Sequence, residues 1–267
     1  HPEQAALYGA IRWNPRGSLG EVLGGVRYSR YRGAVELHHI EPRIALKYRL
    51  TESSMVKVAT GVYHQYVHRV PRFIAADIWT AANAHQGASR AVHYIVGYQR
   101  EWHRVGQLEV EAFHKRYSDI YQFNRAYLGA VEASEFDERD RPTISSTRGL
   151  FNVGDGYSSG FEILLRKDAG PLSGWVGYSL ARTRHVFAEV NGGRSFSPRH
   201  DRTSTLNAVA RIDLSKALRS GQRRWFFGAN MVYSTGQPIT EPGSAYVASM
   251  APSDPQLSVF YAPTRIN

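Results

Sequence analysis

Three groups of residues in this sequence have types and spacings that could do chemistry. Gly156-Tyr157-Ser158-Ser159-Gly160 matches the G-x-S-x-G pattern of a serine-hydrolase nucleophile elbow. That elbow needs a strand before it and a helix after it, so that the serine sits on a strained turn. Here an irregular stretch precedes the glycines and an alternating run follows, so they read as small residues opening a strand and no catalytic residue is expected. Eleven histidines invite a metal reading, the closest groupings being His38-His39 and His64 with His68. Adjacent histidines on a strand point to opposite faces, and an i, i+4 pair converges on one ion only on a helix. They read as loop and wall polar groups. The acidic group Glu132, Glu135, Asp137, Glu138 and Asp140 fits no EF-hand spacing and reads as a solvated loop. Neither a metal nor another cofactor is expected.

The elements that must position these residues are strands. Phe161, Ile163 and Leu165 alternate with Gly160, Glu162 and Arg166, and Val176, Tyr178 and Leu180 with Gly177, Ser179 and Ala181. Period-two alternation means a sheet with one apolar and one polar face. The same pattern marks Ala6–Trp13, Glu21–Tyr31, Arg43–Leu50, Val56–Gln65, Val92–Glu101, Leu108–Lys115, Thr205–Asp213 and Trp225–Tyr233. The expected fold is all-β, an antiparallel meander of about ten long strands without a convincing helix. Connections after Trp13, Leu50, Trp102, Lys167 and Leu214 read as short. Those after Tyr31 (through His38 and His39), Gln65, Tyr117, Phe187 and Tyr233 read as long, with Tyr66–Arg90, Ser118–Asp155 and the tail from Ser234 irregular.

The chain has 267 residues, a net charge of +10 and no cysteine, which excludes disulfides and thiolate metal sites. The basic residues are scattered rather than blocked and no binding motif accompanies them, so nucleic acid is not an expected partner. No run of about 18 apolar residues exists, which excludes a transmembrane helix but not a membrane β-barrel. A soluble sandwich or lipocalin-like barrel would alternate too, with its apolar side inward. Three observations favour the membrane. The strands match the nine to eleven tilted residues that cross a bilayer. From Arg43 to Ile212 the central apolar parity carries no charge. Trp13, Trp102, Trp175 and Trp225 all stand at strand ends beside the short turns, as an interfacial aromatic girdle would, although Trp175 has the polar parity. Phe161, Val176, Tyr178 and Leu206 are then expected to face lipid.

Several blocks, in order, resemble TonB-dependent outer-membrane receptors: EPRIALKYRLTESSMVKVATGVYHQ (Glu41–Gln65), ADIWTAAN (Ala76–Asn83), VGYQREWHRVGQLEVEAFHKRYSDI (Val96–Ile120), GYSSGFEILLRKDAGPLSGWVGYSLARTR, SPRHDRTSTLNAVARIDLS and YSTGQPIT (Tyr233–Thr240). The resemblance implies a 22-stranded barrel in the outer membrane of a Gram-negative-type bacterium, plugged by an N-terminal domain. It also implies import of a scarce, large ligand with energy from the TonB complex. No counterpart of the plug, of its TonB-contacting segment or of the closing strands is found, so residues 1–267 read as a partial barrel domain. A passive structural or adhesive barrel is the alternative. Loops on a rigid scaffold carry function, so ligand contacts are expected from the upper wall and loops, at Tyr63, Gln65, Trp79, Tyr121, Phe123, Asn191 and Arg199. Outer-membrane lipid and lipopolysaccharide are further expected partners, since Lys and Arg at the outer rim would meet phosphates.

Overall fold

In the computed structural model, the described residues are 2–15, 20–70, 78–83, 85–102, 105–124, 151–214, 225–238, 242–251 and 254–263. They form strands β1 (Glu3–Trp13), β2 (Gly20–Arg32), β3 (Glu36–Thr51), β4 (Ser54–Gln65), β5 (Val67–Val70), β6 (Ile78–Ala81), β7 (Ser89–Trp102) and β8 (Gly106–Phe123). The chain continues through β9 (Phe151–Lys167), β10 (Leu172–Phe187), a 3-10 turn at Asn191–Gly193, β11 (Ser204–Asp213), β12 (Phe226–Ser234), β13 (Pro242–Ala251) and β14 (Asp254–Pro263). Ten strands make one antiparallel sheet in the order β1-β2-β3-β4-β7-β8-β9-β10-β11-β12, and β5-β6 and β13-β14 are separate hairpins. The ten-strand meander is the one the alternation predicts.

The registers extend the alternation across the whole sheet. One row runs Val22, Leu46, Val58, Val96, Ala112, Phe161 and Leu180 from β2 to β10. The next runs Glu21, Lys47, Lys57, Gly97, Glu111, Glu162, Ser179 and Thr205. Apolar and polar rows therefore belong to opposite faces. A cleft of about 880 Å³ opens on the polar face, among Tyr8, Arg12, Arg27, Arg43, Tyr63 and His93. That face is the concave one. The convex face presents Leu7, Ile11, Ile40, Ile44, Val58, Val96, Leu165 and Met231 to the outside, all exposed. Fully buried apolar side chains among the described residues are few: Tyr31, Tyr66, Ala82 and Phe187. A soluble sandwich buries its apolar faces between two sheets; the ten strands here form one layer whose apolar face has no second sheet on it among the described residues.

The strands are also staggered. Trp13, the last residue of β1, shares its row with Leu180, which stands eight residues above the start of β10. The lower ends thus slide by about one residue per strand, the kind of shear that lets tilted strands curl into a barrel.

Four connections differ from expectation. His38 and His39 lie inside β3, because β2 and β3 pair up to Arg32 opposite Glu36 and are joined only by Gly33, Ala34 and Val35. Residues Ser118–Phe123 and Phe151–Asp155 belong to β8 and β9, and the stretch after Gln65 contains the β5-β6 hairpin. The tail contains β13 and β14. The tight turns at Glu52-Ser53 and Asp168–Pro171 agree with the reading, while 16–19 and 103–104 lie outside the described residues.

Candidate ligand-facing site on the concave wall

The Gly156–Gly160 segment lies in the middle of β9, not at its opening and not on a turn. Ser158 is buried, and its hydroxyl oxygen accepts a hydrogen bond from Thr183 Oγ1 at 3.1 Å. A Cβ at Gly160 would overlap the carbonyl oxygen of Leu180, so the glycine is there for close strand approach. The segment is wall.

The densest polar cluster sits higher on the concave face, where β3 and β4 part. Their ladder stops at Arg43 opposite Gly61, next to Pro42, which has no N–H to give. The carboxylate of Glu41 takes over: its Oε1 accepts the His64 backbone N–H at 2.9 Å, with the His64 ring 3.5 Å away. Its other oxygen lies 3.7 Å from Arg27 Nε and 3.5 Å from the Arg43 guanidinium. Glu41 is 3% exposed, while both arginine side chains are close to half exposed into the cleft. The rings of His39 and His64 stack at 3.9 Å, and His39 Nδ1 shares a hydrogen bond of 2.9 Å with the Tyr66 hydroxyl. Tyr66 in turn stacks on Tyr31 at 5.2 Å with nearly parallel rings. The two histidines that do meet are His39 and His64, stacked face to face. Such rings cannot aim their nitrogens at one ion, and His38 points the other way, to the Tyr28 hydroxyl at 2.6 Å. No group of three or more metal-ligating side chains occurs among the described residues.

The described residues of the insert, among them Tyr66, His68, Ala82 and Gly87, are tied to this wall. Tyr31 donates to the Ala82 carbonyl at 3.1 Å, and the Ala82 N–H bonds to Tyr66 O at 2.8 Å. Tyr121 Oη donates to the Gly87 carbonyl at 3.2 Å, and its ring lies 4.7 Å from that of His68. Burial holds the pKa of His68, in the inserted hairpin, below the usual histidine range.

The seven residues expected to contact ligand fall into three places. Tyr63 lines the cleft with Arg43 4.5 Å above its ring and His93 4.5 Å away, while Gln65, at the top of β4, donates its amide to Val67 O. Trp79 projects from β6, 61% exposed, and Tyr121 anchors the insert; Phe123 meets Phe151 edge-on at the rim. Asn191 and Arg199 ride a separate loop, Ala188–Thr203. Asn191 has a positive φ of 56° and Arg199 is exposed. That loop is tied down at its root by two bonds between His185 and Phe196 and by Asp201, buried, which accepts the Thr183 N–H at 3.0 Å. His185 lies above the apolar band of β10, which ends at Leu180. Burial there, reinforced by His200, pushes its pKa down to about 4 against the opposing pull of Asp201. The acidic group 132–140 lies outside the described residues.

Sequence reasoning missed Arg27, His39, Glu41 and His64. The polar parity of β2 and β3 already carried Arg27 and Arg43, but with His38-His39 read as a connection, Glu41 had no strand to sit on. Of the tryptophans, Trp13, Trp102 and Trp225 stand at the lower end on the convex side's parity. Trp175, opposite Arg166 and Val209, stands on the concave side.

No protein-family model and no curated protein matches the sequence. Solved structures do. The FrpB iron transporter from Neisseria meningitidis superposes with a TM-score of 0.55 at 13% identity over 79% of this chain. P. aeruginosa FpvA, bound to a heterologous pyoverdine with iron, superposes with a TM-score of 0.62 at 12% identity over 97%. This chain spans 30% of the length of each. At this identity the likeness is one of fold, and it agrees with the sequence resemblance: the chain has the fold of a section of the barrel wall of TonB-dependent outer-membrane receptors.

Proposed function

We propose that this chain is barrel wall of an outer-membrane active-transport receptor that imports a scarce, bulky ligand with TonB-coupled energy. The observation that carries the reading is the division of the sheet. An exposed apolar band lies on its convex side, and a polar cleft rimmed by Arg27, Arg43, Tyr63 and His93 on its concave side. An exposed apolar face of this extent suits lipid and not water, and a concave polar wall suits a solute path. The printed names of the two structural neighbours, an iron transporter and a receptor holding a ferric pyoverdine, favour an iron chelate as the ligand class. Tyr63, Gln65, Trp79, Tyr121, Phe123, Asn191 and Arg199 are the proposed contacts, because aromatic and polar loop groups suit a large amphiphile. The protein is not proposed to be an enzyme.

The test has two parts. Reading the coding sequence upstream of His1 asks whether a plug domain and a TonB-contacting segment are encoded. Uptake of radiolabelled ferric chelates is then compared in cells with and without TonB. Uptake lost with TonB supports the reading; a gene without a plug, or uptake indifferent to TonB, favours the passive barrel instead.

A further inference from the structure

We infer that hairpin β5-β6 is a pH-released strap: two histidine clasps hold it to the wall while they are uncharged, and acid lets it go. Because the strap carries Trp79, the inference adds a regulation to the proposed ligand site, and only in that respect rests on the reading above. The hairpin pairs from Val67 opposite Ala81 to Val70 opposite Ile78, so Tyr66 and Ala82 are its feet. Both feet are almost fully buried, whereas Trp79, further out on β6, is exposed. The first clasp grips Tyr66. Its hydroxyl shares a hydrogen bond with His39 of β3, and the His39 ring stacks at 3.9 Å on His64 of β4. The second clasp is His68, two residues beyond the foot. Its ring lies 4.7 Å from that of Tyr121 on β8, and its Nδ1 is 3.4 Å from the Ser89 hydroxyl on β7. The strap is thus pinned to β3 and β4 on one flank and to β7 and β8 on the other.

Neither clasp can accommodate the charge that histidines acquire just below neutral pH. Around the stacked pair stand Glu41 and Arg43 on β3, Arg27 on β2 and Arg90 on β7, opposite His64 in register. One carboxylate already faces two guanidiniums there. A first proton on His64 can be met by Glu41, whose Oε1 lies 3.5 Å from a His64 Nδ1 that has no hydrogen-bond partner. A second proton, on His39, meets an imidazolium 3.9 Å away and, among the described residues, no carboxylate within ion-pair distance. His38, next in the chain, is turned to Tyr28 and Glu36 instead. Like charges at that distance oppose each other, so the rings part and Tyr66 loses its grip. His68 reaches the same end through burial. It is 9% exposed, its Nε2 has no partner, and Thr80, Ser89 and Tyr121 around it carry no charge. Asp119 on β8 gives its carbonyl to Ser89 and makes no ion pair with the ring. Charging His68 would strand an N–H away from water. The hold of a group that must stay neutral is complete above the ordinary histidine value of about 6.5 and is lost as pH falls below it. At pH 5.0 each such group lowers the closed-to-open ratio by up to about 30-fold.

The test is hydroxyl-radical footprinting of the intact gene product in micelles at pH 7.5 and 5.0, read at Tyr66, which is 2% exposed when the strap is down. Tyr8, exposed in the cleft, calibrates the radical dose, and exchange of the Val58 amide reports on the sheet. Labelling of Tyr66 should rise at least tenfold at pH 5.0 while Val58 exchange, corrected for its intrinsic rate, stays within twofold. In H64F/H68F both rings remain but neither can take a proton, and the rise should stay below threefold. A native rise of less than tenfold overturns the proposal, as does a rise of threefold or more in the double variant. A rise accompanied by faster Val58 exchange also overturns it, since the sheet and not the strap is then opening. If the double variant does not assemble, H68F alone is read, and its rise must fall below one third of the native one for the proposal to stand. The readout involves neither ligand nor TonB, so a failed uptake experiment and a failed strap are separate results.

Discussion

Glu41 is the residue whose removal the structure prices most directly. In Glu41→Ala the His64 N–H loses a charge-assisted hydrogen bond, about 1.5–3 kcal/mol where the acceptor is ionised. The two arginines lose partners at 3.5 and 3.7 Å, but both guanidiniums are half exposed, so solvent screening holds each to no more than about 0.5 kcal/mol. The sum is roughly 2–4 kcal/mol, concentrated where β3 and β4 part. It should appear as local opening rather than global unfolding, because the ladder below Gly61 is intact. Hydrogen–deuterium exchange of the intact protein in micelles reads it: the His64 amide should exchange roughly 30- to 700-fold faster, with the Val58 amide unchanged as internal reference. Glu41→Gln keeps an acceptor oxygen, and about tenfold is expected there. Exchange at His64 within threefold of native in Glu41→Ala would refute the view that this carboxylate closes the gap left beside Pro42.

Orientation is tested by a pair of arginines. Val96→Arg on the convex face should cost about 2–4 kcal/mol in bilayer-coupled unfolding, whereas Ser179→Arg on the concave face should cost under about 1 kcal/mol; the reverse order would turn the wall inside out. Gly160→Val should prevent assembly, seen as loss of the heat-modifiable band on gels, because its side chain would enter the Leu180 carbonyl. Tyr31→Ala removes both the stack on Tyr66 and the bond to Ala82 and should raise protease nicking within 66–88 several-fold, with the sheet unaffected. The pH dependence of loop Ala188–Thr203 follows from His185, whose folded pKa of about 4 lies below the ordinary 6.5. Its contribution is fully present above pH 6.5 and fades as pH falls toward 4, since only the released loop takes up the proton readily. Limited proteolysis of this loop should therefore accelerate between pH 6.5 and 4, and His185→Phe should flatten the response.

What could be read from the sequence tracks what the two faces of the sheet meet. Where one face meets an apolar medium and the other a polar one, selection writes a period of two, and every strand of the ten-strand sheet from Arg43 to Ile212 was legible in its lower part, the separate β5-β6 hairpin being the exception. Above that band both faces of a strand meet polar surroundings, the two parities take the same kinds of residue, and the signal vanishes although the hydrogen-bond ladder does not. The 16-residue β3 shows it: Ile44, Leu46 and Tyr48 announce a strand, but Glu36, His38 and His39 read as a connection while pairing in register with Arg32, Arg30 and Ser29. The upper ends of β8 and β9 vanished from view in the same way. The cluster at Glu41 lies where the signal fades, so a site made of strand residues was sought in loops. Arg116 and Arg182 were hidden by the same change: on the apolar parity, a charge reads as the end of a strand. The register makes each of them instead a point on a continuous sheet, ten residues above the first residue of its strand, where no local pattern would have placed it.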